Sequence, residues 1–97
     1  MYVVLLRFSD NKAQAGEFMD GHLEWIKRGF DDGVFLLSGS LQPNQGGAVL
    51  AHAVSLAALR QRVDEDPFVA QNIVTAEIFE ITPGQADARL SFLLDAS

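Results

Sequence analysis

No cysteine occurs in the 97 residues of this chain. A disulfide framework, a thiolate nucleophile and a cysteine-based zinc site are therefore excluded. Positive charge is also scarce. Seven Lys and Arg stand against thirteen Asp and Glu, giving a formal net charge of −6. Binding a phosphate backbone needs a basic face, so nucleic acid is not expected as a partner. No apolar run approaches the ~20 residues of a membrane span. The opening MYVVLLRFSD turns acidic too soon to serve as a signal peptide. A cytoplasmic protein with no membrane partner is expected. Histidine occurs only twice, without H-x-x-x-H or H-x-H spacing, so no metal ligand set is expected. Neither a G-x-x-x-x-G-K-[ST] loop nor a G-x-G-x-x-G turn is present, and no cofactor is expected.

Apolar residues, by contrast, are abundant at 48% of a chain long enough for one small domain. Tyr2 to Phe8 reads as a strand, apolar on both faces apart from Arg7. From Ala15 to Asp32 the period becomes helical. Phe18, Met19, His22, Leu23, Ile26 and Phe30 fall on one stripe, and Gly33 is placed to end the helix. Val34–Leu41 and Ala48–Ala53 read as a hairpin joined through the Pro- and Gly-containing residues 42–47. Ser55 suits the N-cap of a second helix with Leu56, Leu59 and Val63 as its stripe. Pro67 should stop that helix near Asp66, with one further turn over Phe68–Asn72. Ile73–Thr82 reads as a fourth strand, again apolar on both faces. The order β-α-β-β-α-β specifies an α+β, ferredoxin-like fold: a four-stranded antiparallel sheet with both helices on one face. The other, apolar face then needs a partner, and a second copy packed sheet against sheet is the simplest one.

Few side chains can carry chemistry. His22 sits within the first helix's apolar stripe. It is either a core histidine bonded to a carbonyl or a general acid/base facing a pocket. Asp66 is either a solvated acid in the run Asp64-Glu65-Asp66 or a carboxylate, fixed by Pro67, that orients a histidine. Ser38 and Ser40 share a face with Val34 and Leu36, and either end a strand or donate to a ligand. Arg7 needs an anion, supplied by an internal acid or by a bound carboxylate. Gly46-Gly47 is a turn whose bare amides could admit an anion. His52 is assigned a structural place, and Trp25, beside the stripe, a role in packing or an interface.

The sequence resembles the YCII-related (YciI-like) proteins of the dimeric α/β barrel group. The resemblance rests on YVVLLRFSD, HLEWI, GVFLLSGSL and EDPFV in that order, with Gly46-Gly47 between the last two. It spans residues 1 to about 82 and implies a ferredoxin-like domain there. Residues 83–97 lie outside it, and Leu90, Phe92, Leu93 and Leu94 suggest a tail docked on the domain or its partner. The resemblance also implies a homodimer formed through the sheets, no cofactor, and a pocket in each subunit. His22 and Asp66 fall at the family's catalytic positions, and Ser38 near a polar pocket position.

Two functions follow as expectations. One is a cofactor-independent lyase or isomerase acting on a small molecule, with His22 moving a proton, Asp66 orienting it, and Arg7 and Ser38 holding substrate oxygen. The other is a non-catalytic module that binds a small ligand or an accessory partner. A cofactorless monooxygenase is a weaker third reading, supported by fold analogy alone.

Overall fold

The structure, a computed structural model, describes residues 1–95. Its strands are β1 (Tyr2–Phe8), β2 (Phe35–Leu41), β3 (Gly46–Ala51) and β4 (Val74–Glu80). Its helices are α1 (Ala15–Asp31), α2 (Leu56–Asp64), α3 (Pro67–Ala70) and α4 (Phe92–Asp95). The strands form one antiparallel sheet in the order β2-β3-β1-β4. The crossover through α1 spans one strand, as does the crossover through α2 and α3. This is the ferredoxin-like βαββαβ plan.

Local chemistry sets the element ends much as the sequence suggests. Gly33, at φ +74, follows α1 in the left-handed conformation that closes helices. The Ser55 side chain accepts the Ala58 N–H at 3.1 Å and starts α2. Element ends shift by up to two residues, and two local features differ from expectation. Gly46 and Gly47 are not a turn but the first residues of β3, paired with Arg7 and Leu6 of β1. The connection shrinks to residues 42–45, closed by the Gln45 N–H on the Leu41 carbonyl. A β-bulge between Phe35 and Leu37 shifts the alternation of β2. Phe35 then lies opposite Ala51 and Ser38 opposite Val49, so Ser38 continues the buried face of Phe35, which simple alternation from Val34 and Leu36 does not anticipate.

One sheet face carries the core. Tyr2, Val4, Leu6, Val49, Ala51 and Val74 meet Trp25, Leu59, Val63 and Phe68 from the helices. Trp25 is the centre of this packing, 1% exposed, with its Nε1–H donated to the Arg62 carbonyl at 2.8 Å. Met19, Leu23 and Phe30, expected on the buried stripe, are 39%, 53% and 42% exposed. Gly29 accounts for this roll of α1. Any Cβ there would overlap the ring of Phe35, so the helix settles onto that ring through its glycine and turns Trp25 inward.

The opposite sheet face is not the one that α1, α2 and α3 cover. Val3, Leu5 and Leu50 lie there, with Leu37 and Phe79 about half exposed. Beyond β4 the chain forms a 3-10 turn at Ala88–Leu90 and then α4. Leu93 of α4 is buried, and the Phe92 ring meets His52 edge-on at 5.5 Å. Residues 96–97 of the expected tail lie outside the described residues.

Candidate active site

Asp66 precedes Pro67, and proline disfavours helical geometry in the residue before it. Asp66 accordingly stands at φ −64, ψ 123, and its side chain caps α3 by accepting the Phe68 N–H at 3.0 Å. Pro67 occupies the first helical position, where its missing N–H costs nothing. The D-P pair thus starts a helix as well as stopping one. On α1, Gly21 faces this turn. A Cβ there would stand 3.1 Å from Pro67 Cγ, so glycine permits the close approach of α3 to α1. The next residue is His22, and the approach sets its ring beside Asp66.

His22 Nδ1 and Asp66 Oδ1 are 2.8 Å apart. Asp66 is fully buried, whereas the His22 side chain retains 13% exposure. A carboxylate oxygen accepts, so Nδ1 donates, and in the neutral ring the lone pair falls on Nε2. Nε2 has no hydrogen-bond partner among the described residues and is not among the atoms sealed from solvent. The imidazole lies flat on Phe68, with centroids 4.0 Å apart and planes within 2°, and Trp25 stacks beyond at 5.9 Å. These contacts fix the ring plane. Asp66 Oδ2 is buried without a partner. An unbonded buried carboxylate oxygen costs about 1–3 kcal/mol, and a positive charge developing on the adjacent imidazole offsets that cost.

Beside the pair lies a cavity of about 280 Å³. The exposed apolar residues of α1 find their place here: Met19, Leu23 and Ile26 form one wall with His22. Leu6, Phe8 and Val49 of the sheet form the floor, and Ser38, Ser40, Gly46 and Gly47 line the β2–β3 side. Of the residues singled out in the sequence, His22, Asp66 and Ser38 are brought together. Arg7 is not. Its alternation with Val3 and Leu5 puts it on the other sheet face, where Nε pairs with Glu77 Oε1 at 2.7 Å and both side chains are about half exposed. No Lys or Arg lines the cavity.

His52 stands elsewhere, in a cleft with Tyr2 and Leu93. Two surface groups have displaced ionisation, both away from the cavity. The Asp31 carboxylate, by hydrogen bond and charge, raises the pKa of Lys27, and the Arg89 N–H and then its guanidinium lower that of Asp87. Among the described residues no three His, Cys, Asp or Glu are grouped to hold a metal ion, and no helix is long and apolar enough to cross a membrane.

Among solved structures, this fold is similar to that of 5-chloro-2-hydroxyhydroquinone dehydrochlorinase (TftG) from Burkholderia phenoliruptrix AC1100, solved in complex with 2,5-dihydroxybenzoquinone. The TM-score is 0.69, with 87% of this chain and 96% of that chain covered. Sequence identity is 14%, so the likeness is one of fold. No curated protein matches the sequence. The model of the YCII-related domain matches residues 1–82, most of the chain, and on that ground the protein belongs to the YCII-related family.

Proposed function

We propose that the protein is a cofactor-independent enzyme of lyase or isomerase type that moves a proton on a small molecule. The carrying observation is the His22–Asp66 contact, with Nδ1 engaged and the ring clamped on Phe68, in a residue that lines the cavity. In this reading Nε2 takes a proton from substrate carbon or oxygen, and Asp66 holds the tautomer and faces the imidazolium. In a lyase the electron pair left behind forms a double bond and expels a leaving group as an anion. In an isomerase the proton returns at a second carbon. Ser38 holds a substrate oxygen. That a dehydrochlorinase shares the fold supports small-molecule chemistry in such a pocket.

Proton exchange tests this reading whatever the overall reaction. Hydroquinones and small cyclic ketones are incubated with the protein in D₂O and followed by proton NMR. Protein-dependent loss of a carbon-bound proton signal is expected for at least one compound. If His22 ring signals shift on titration but no compound exchanges, the second reading holds, that of a ligand-binding module. Its favouring observation is that Asp66 Oδ1 also caps α3, so the pair has a structural task too.

We further propose that two copies associate through the sheet face opposite the core. Leu37, 55% exposed, lies on it, and burying such a side chain contributes about 1.5–3 kcal/mol. Light scattering at micromolar concentration should give twice the 10.6 kDa chain mass, and Leu37→Asp should return 10.6 kDa. A wild-type mass of 10.6 kDa removes this proposal.

A further inference from the structure

The polar side chains that line the cavity come from two different elements, and most of the other lining side chains are apolar. His22 is on the α1 side. Ser38 and Ser40 are on the edge strand β2, two residues apart on one face, hence about 7 Å apart along the strand. Neither serine hydroxyl has a hydrogen-bond partner among the described residues. Leu6, Met19, Leu23, Ile26 and Val49 supply the apolar lining. No cationic side chain is part of the lining. Arg7 pairs with Glu77 on the far sheet face, and the Lys12 ammonium lies 4.8 Å from the centroid of the Phe8 ring without lining the cavity. The one cationic form that the site can adopt is imidazolium at His22, already matched to the Asp66 carboxylate. A ligand carboxylate or phosphate would therefore meet a pair of net charge zero at best, in a chain of formal charge −6. An anion entering the cavity would find no counter-charge on the lining to replace the water that it loses there.

We infer that the cavity selects an uncharged molecule with an apolar body and an oxygen at each end, one facing His22 Nε2 and the other held by Ser38 and Ser40. Gly47 sets the room for that body. A Cβ at Gly47 would meet nothing within 4 Å except the Gly39 carbonyl oxygen at 3.2 Å. Gly47 alternates with Val49 on the covered face, so any side chain there grows into the cavity.

This inference rests on the proposed enzyme reading but is separable from it. The probes are hydroquinone, phenol and 4-hydroxybenzoate, titrated against the full chain by NMR. Hydroquinone should bind about 3–10-fold more tightly than phenol, the worth of a second neutral hydrogen bond. It should bind at least about tenfold more tightly than 4-hydroxybenzoate, whose charge goes unpaired. The double variant Ser38→Ala, Ser40→Ala should erase the advantage of hydroquinone over phenol, and Gly47→Val should weaken all three. Equal or tighter binding of 4-hydroxybenzoate overturns the inference. So does an undiminished hydroquinone advantage in the serine variant, or failure of all three probes to bind at millimolar concentration. A His22-dependent proton exchange on an anionic substrate would leave the enzyme reading standing and remove this one. Neutral-ligand preference without His22-dependent exchange would do the reverse.

Discussion

Replacing His22 with alanine should slow protein-dependent proton exchange by about 10²–10⁴-fold, the usual contribution of a positioned general base. The variant should remain folded. His22 is on the flank of α1 rather than in its core, and its removal leaves Trp25, Leu59 and Phe68 in place. Some stability is lost, because Asp66 Oδ1 keeps only the Phe68 N–H as donor and its carboxylate is fully buried. That cost is about 3–5 kcal/mol, the usual loss when one partner of a buried pair is removed. Asp66→Asn separates orientation from charge. The amide oxygen can still cap α3 and accept from Nδ1, whereas the negative charge facing the imidazolium disappears. The rate should fall by about 10–100-fold, in line with about 1.5–3 kcal/mol for a hydrogen bond to a charged group, and the loss should fall on kcat more than on KM. Exchange at the wild-type rate in His22→Ala would show that the proton goes elsewhere.

Much of this site is legible in the sequence. Spacings of three and four put His22 on the inner side of a helix, and Pro67 constrains Asp66. The approach of the two elements is harder to see. It depends on Gly21 admitting Pro67, a contact between residues far apart in sequence. Arg7 meets an internal acid, Glu77, one of the two partners the sequence allows, but the face it occupies is not legible for a different reason. Strands β1 and β4 are apolar on both faces, so alternation groups Arg7 with Val3 and Leu5 without saying which face the helices cover. The exposed side of α1 has a similar origin. Met19 and Leu23 belong to the apolar stripe that spacing reveals, but an apolar stripe can line a cavity as well as fill a core. Periodicity does not distinguish the two. Residues 46 and 47 read as a turn because paired glycines usually punctuate. Here they begin a strand at the place where a side chain would meet β1 or fill the cavity.

That last point carries the second large effect. Gly46→Ala should lower the midpoint of thermal unfolding by at least about 10 °C. Gly46 has φ +122, a conformation that residues with a Cβ rarely adopt, and holding one there costs about 1–3 kcal/mol. The added Cβ would also overlap the Leu6 carbonyl oxygen. That oxygen belongs to the backbone of a central strand, so it cannot swing aside as a side-chain tip could, and forced overpacking adds about 1–3 kcal/mol. The combined loss, about 2–6 kcal/mol, is large against the ~5–15 kcal/mol stability of a whole domain. Gly47→Ala is the control. Its backbone is not at positive φ, and its Cβ would meet only the Gly39 carbonyl at 3.2 Å. The midpoint of that variant should shift much less. Calorimetry on the two variants decides the matter, since equal shifts would mean that Gly46 is not held by φ and Leu6 as described. The adjacent glycines then have different tasks. Gly46 lets β3 close onto β1 and so holds the fold on which the cavity depends, whereas Gly47 leaves the space that a ligand would occupy.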